Sequence, residues 1–172
     1  MRMDFDMERP PAATERIEMT DALPKGLERR LVLRLLSYWR DMCGERRYPS
    51  FADVDPAAIP DMWEWAFVIE VVGHEPDPVL RHVGGALADF VHQPLVGLKL
   101  SAVPRETLVS YAMSYVQAVI AKGVPISRGG EYVRDGGVRV LYRSIVLPMS
   151  DDGATISGLL GAANCREVPG EG

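Results

Sequence analysis

Residues able to do acid–base, nucleophilic or metal chemistry are sparse in this sequence, so their spacing carries most of the information. The three histidines, His74, His82 and His92, lack the i, i+4 pairing that sets two imidazoles on one helix face for a metal. The two cysteines, Cys43 and Cys165, form no CxxC pair and are too few for a disulfide framework. No GxGxxG fingerprint, phosphate loop or GxSxG elbow occurs, which removes the common routes to dinucleotide binding and serine hydrolysis. Asp151 and Asp152 pair two carboxylates, but Gly153 follows and the trio reads as a hairpin turn. What remains is a set of hydroxyls. Tyr142 and Ser144 share one strand face with Val140 and Val146, and Tyr111 and Tyr115 lie at helical spacing upstream. A buried hydroxyl without a partner costs about 1–3 kcal/mol, so each must find a protein group, a water or a ligand.

The elements that position these groups follow from periodicity. Residues 1–24 mix charges with Pro10, Pro11 and Pro24, show no period, and read as a flexible tail. From Lys25 to Cys43 the pattern is helical, with Leu27, Leu31, Leu35, Tyr38 and Met42 on one stripe and Val32, Leu36 and Trp39 on a second. Gly44 is its stop. Asp55 before Pro56 predicts a cap and a single turn to Ile59, ended by Pro60. From Trp63 to Val72 the odd positions Trp65, Phe67, Ile69 and Val71 are apolar, which predicts a strand with that set in the core. A second strand over 79–84 and a helical turn over 86–91 precede a longer helix from about Pro104 to Lys122, with Leu108, Tyr111, Tyr115 and Val119 inward. Strands over 126–134, 139–149 and 155–166 are separated by Asp–Gly turns, so they pair as antiparallel hairpins. The class is α+β.

Composition sets the bounds. The 172 residues, 47% hydrophobic and 25% charged, suit one soluble globular domain. The net charge of −5 argues against nucleic-acid binding, which draws on basic side chains. No run approaches the ~18 apolar residues of a membrane helix, and the acidic first 20 residues are no secretory signal, so the expected compartment is a bacterial-type cytoplasm.

The element order, together with Leu36-x-Tyr38-Trp39, Arg46-Arg47-x-Pro49-Ser50, Asp53-x-Asp55-Pro56, Ile59-Pro60, Arg81-x-Val83-Gly84, Pro94-Leu95-x-Gly97 and Leu147-Pro148-Met149-Ser150-Asp151-Asp152-Gly153, resembles a PAS domain. More closely it is similar to short standalone bacterial PAS-like proteins of unknown function. The resemblance spans roughly residues 27–166 and implies a five-stranded antiparallel sheet with flanking helices. It also implies a sensory or regulatory role, and places Gly85 and His92-Gln93 near the pocket mouth. Asn164-Cys165-Arg166 is similar to the signature of flavin-binding photosensor PAS domains, but it lies at the end of the last strand, where the cysteine cannot attack a flavin ring. The histidine with which haem-binding members hold iron is absent from the 104–122 helix. No haem, flavin or metal is therefore expected, although an unknown small molecule fits the fold.

These readings converge on a tail over 1–24, one PAS-like domain over 25–166 (helix 25–43, core 63–166) and a short tail over 167–172. The expected function is a small sensory or regulatory module that binds a small molecule, a protein partner, or both, and carries no output domain of its own. The alternative is a small α+β enzyme of the isomerase or hydratase kind, for which no carboxylate stands on a core-facing strand position; no catalytic residue is assigned. Two faces are singled out. Arg139 and Arg143 are expected to look outward into water, leaving Tyr142 and Ser144 to bound a ligand pocket with Trp65, Phe67, Phe90 and Tyr111. The second helical stripe, Val32, Leu36 and Trp39, is expected to pack on a second copy in a homodimer, because the sheet can cover only one stripe.

Overall fold

A computed structural model describes residues 18–19, 27–73 and 77–169. The expected tails, apart from residues 18–19 and 167–169, and the turn carrying His74 lie outside the described residues. Helix α1 spans Leu27–Cys43 and ends at Gly44, whose φ of 58° is the left-handed conformation that glycine adopts without strain. Downstream come the short helix α2 (Pro60–Trp63), strands β2 (Ala66–Glu70) and β3 (Val79–Val83), and helices α3 (Gly85–Ala88), α4 (Leu108–Ala112) and α5 (Val116–Lys122). The long strands β4 (Ile126–Arg134), β5 (Val138–Met149) and β6 (Gly158–Val168) close the chain. Ahead of them all, Glu18–Met19 forms a two-residue strand, β1, within the stretch read as tail.

The five longer strands make an antiparallel sheet in the order β4-β5-β6-β2-β3, and β1 adds in parallel at the β4 edge through Ile126 and Ser127. One layer of helix covers each face. On the outer face α1 packs its buried residues Leu31, Val32, Leu35, Leu36 and Trp39 against Val68, Ile145, Leu147, Met149, Leu160 and Ala162. The indole N–H of Trp39 donates to the Pro148 carbonyl over 2.9 Å and pins the helix to β5. On the inner face Phe67, Ile69, Val140, Val146 and Leu159 meet Leu87, Leu108, Val109, Ala112, Val116 and Val119.

The expected turn is present: Asp55 caps it, accepting from Ala57 N–H at 3.1 Å, and it ends at Ile59; Pro60 also starts α2, since a proline in the first helical turn forfeits no intrahelical bond. Two expectations are corrected here. The helix expected over 104–122 begins only at the Thr107–Ser110 capping box and is broken between Ala112 and Val116. The Ser114 hydroxyl donates to the Tyr111 carbonyl at 2.9 Å, competing with the helical ladder at the break. Arg143 does not look into water: it lies on the outer face between Gly129 and Asn164 and is 2% exposed. The outer face is closed over along most of its length, so its arginine is taken out of water with it.

Candidate functional site

Strand β5 presents Val140, Tyr142, Ser144 and Val146 to the inner side, and each of the two hydroxyl residues has a distinct surrounding. Ser144 is fully buried, and its hydroxyl lies 2.6 Å from that of Tyr115, at the start of α5. Burial drives the Tyr115 phenol well above its ordinary range, so it stays protonated and able to donate. The Arg128 guanidinium stands 4.9 Å over the Tyr115 ring. Tyr142 faces Gly130 on one neighbouring strand and Cys165 on the other. Gly130 is there for space: a Cβ on it would come 2.8 Å from the Tyr142 hydroxyl oxygen.

Around Tyr142 three phenol rings gather. The Tyr111 and Tyr132 rings stack with centroids 4.8 Å apart at 27°, and Tyr142 tilts against them at 5.6 and 6.0 Å. No hydroxyl of the three has a hydrogen-bond partner among the described residues. Tyr132 is only 6% exposed, and burial, followed by the neighbouring Cys165, pushes its phenol up to about 12. Burial likewise raises Tyr142.

Tyr132 also lines a cleft of about 580 Å³ that is open on one side. Residues 89–93 after α3 form one wall, residues 104–108 a second, and residues 132–135 at the end of β4 the third. Its cations are Arg105 and Arg134, the latter ion-paired to Glu167; its carboxylates are Asp89, Glu106 and Asp135. Glu106 holds φ at 61°, the one non-glycine residue in the left-handed region among those described. Such a conformation costs about 1–3 kcal/mol, and strain of this kind gathers at functional sites.

The six side chains expected to bound one pocket are thus divided. Phe90 lines the cleft, and its ring centroid lies 6.2 Å from that of Trp65, which packs with the outer layer. Tyr111 and Tyr142 stand behind Tyr132. Phe67 is fully buried in the inner core, and the Ser144 hydroxyl is taken by Tyr115, so neither reaches the cleft. Tyr132 was missed by sequence reasoning because Gly129 and Gly130 erase the apolar alternation of β4; counting by twos from Ile126 does find it. His92 and Gln93 lie at the cleft mouth.

The dimer face is corrected outright. Val32, Leu36 and Trp39 are at most 3% exposed within the single chain, because α1 lies along β5 and β6 and buries them there together with Leu31 and Leu35. Among the described residues no helix is long and apolar enough to cross a membrane, and no three His, Cys, Asp or Glu side chains are placed to hold a metal.

A family model described as PAS domain matches residues 28–164. No curated protein matches the chain. Among solved structures, the LOV domain of a blue-light activated histidine kinase from Erythrobacter litoralis is 13% identical, with a TM-score of 0.45 over 60% of this chain and 96% of that one. The dark structure of the Aureochrome1 LOV photoreceptor is 16% identical, with a TM-score of 0.45 over 67% and 84%. A PAS domain from Colwellia psychrerythraea is 13% identical, with a TM-score of 0.40 over 60% and 85%.

Proposed function

Because the chain belongs to the PAS domain family, we propose that it is a sensory or regulatory module whose input is a small molecule held in the cleft between Phe90, Arg105 and Tyr132. The observation that carries this reading is the cleft itself, whose volume of about 580 Å³ falls in the range of small-molecule sites. Its three walls come from segments far apart in the chain, after α3, before α4 and at the β4 end. A molecule that touches all three changes the free energy of their relative positions, which is what a sensor needs. The output is a contact with another protein, altered as the walls shift.

Val133 lines the cleft and is 60% exposed, so Val133→Trp adds bulk there without disturbing the core. Native mass spectrometry of the purified protein is expected to show a retained small molecule in the parent chain and none in Val133→Trp. The reading fails if both proteins carry the same molecule. It fails equally if neither carries one and a metabolite panel leaves the melting temperature of the parent chain unchanged.

A further inference from the structure

We infer that the molecule held in the cleft is an organic cation, a protonated amine on a flat apolar body, drawn by one carboxylate on each wall and seated against the rings of Phe90 and Tyr132. The inference rests on the reading of the cleft as the ligand site and names the chemistry of its occupant. Asp89 stands on the wall after α3, Glu106 on the wall before α4, and Asp135 on the wall at the end of β4. All three are exposed, and none of their carboxylates has an ion-pair or hydrogen-bond partner among the described residues. Three segments that are separate in the chain thus each bring one uncompensated negative charge to a single opening.

The cations of the lining do not offset this charge. Arg134 is already paired with Glu167, which leaves Arg105 as the one guanidinium of the lining outside an ion pair among the described residues. A cleft whose negative charge exceeds its positive charge raises the local concentration of cations and repels anions. The rings favour the same sign by a separate route. Phe90 and Tyr132 line the cleft, and the face of an aromatic ring attracts an ammonium group while its breadth suits a flat apolar body. Tyr111 stacks on Tyr132 with centroids 4.8 Å apart, so that ring is braced from within the protein.

Calorimetry with three probes of one shape tests this: 1-naphthylmethylamine, 1-naphthylmethanol and 1-naphthoate. The amine is expected to bind at least ~10-fold tighter than the alcohol, and naphthoate more weakly than either. Asp89→Asn, Glu106→Gln and Asp135→Asn, all outside the core, should each weaken the amine by about 2–5-fold and leave the alcohol unchanged. Arg105→Ala removes a like charge and should tighten the amine by a similar factor. Glu45→Gln, which removes one negative charge from the surface outside the cleft, should do neither. An amine whose affinity ignores all four cleft variants overturns the cation and leaves the cleft as the site. So does an alcohol or naphthoate that binds as tightly as the amine, with Val133→Trp blocking it. If no probe binds at millimolar concentration yet Val133→Trp displaces a retained molecule, the flat-bodied amine is overturned and the cleft stands. When no probe binds and Val133→Trp alters nothing, both fall.

Discussion

The hydroxyls of Tyr115 and Ser144 lie 2.6 Å apart in the inner core, joining the start of α5 to the middle of β5 across 29 residues of chain. This bond answers the polar demand that Ser144 places on an apolar strand. It also holds in place the point where the helical run from 108 to 122 is broken.

Removing either partner leaves the other buried with a weaker arrangement; Ser144 keeps only a 3.4 Å contact to the Arg128 carbonyl. Tyr115→Phe and Ser144→Ala should each cost about 1–3 kcal/mol, and the double variant should cost about 1 kcal/mol less than their sum. Urea denaturation of the four proteins measures the cycle. Strict additivity would show that the two hydroxyls do not interact.

Leu36→Glu places a carboxylate at a position 3% exposed between α1 and the sheet. An uncompensated buried charge costs about 3–5 kcal/mol. The variant is expected to melt far below the parent chain in circular dichroism, or to fail to fold. A folded variant with the parental melting temperature that light scattering shows at half the parental mass would restore an intermolecular role for this face.

Gly161 faces Phe67 across the β6–β2 pair, and a Cβ there would lie 2.2 Å from the ring and 2.7 Å from the Ile145 carbonyl oxygen. Both neighbours are in the packed core, so neither yields cheaply. Gly161→Ala should lose about 1–3 kcal/mol through overpacking. Gly85→Ala, where a Cβ would meet only the flexible end of the Glu64 side chain at 2.9 Å, should cost less. Equal losses in urea denaturation would refute the steric argument.

Asp152 accepts hydrogen bonds from the backbone N–H groups of Thr155 and Ala154 and from the Ser150 hydroxyl, which lower its carboxyl to about 2. A carboxyl with a depressed folded-state value stabilises the fold above its unfolded value near 3.8 and loses that contribution as pH falls towards 2. Asp152→Ala should therefore be less stable than the parent chain at pH 5, and the two should converge near pH 2. A constant gap between them across that window, in urea titrations at stepped pH, would show that the carboxylate's ionisation plays no part.

Much of this architecture is local in origin and therefore legible in the residues. The spacing of Leu31, Val32, Leu35, Leu36 and Trp39 is a helix, the Asp–Gly turns after β4 and β5 are hairpins, and the period of two places Phe67 with Ile69 and Tyr142 with Ser144. Periodicity states which side of an element is apolar, but it is silent on what covers that side. Only packing decided that α1 buries Val32, Leu36 and Trp39 together with Leu31 and Leu35 on β5 and β6, that Arg143 is enclosed on the outer face, and that Tyr115 satisfies Ser144. The cleft is further still from the sequence. Its walls are separated by up to about forty residues of chain, and it exists because three segments meet without closing, a property of none of them alone.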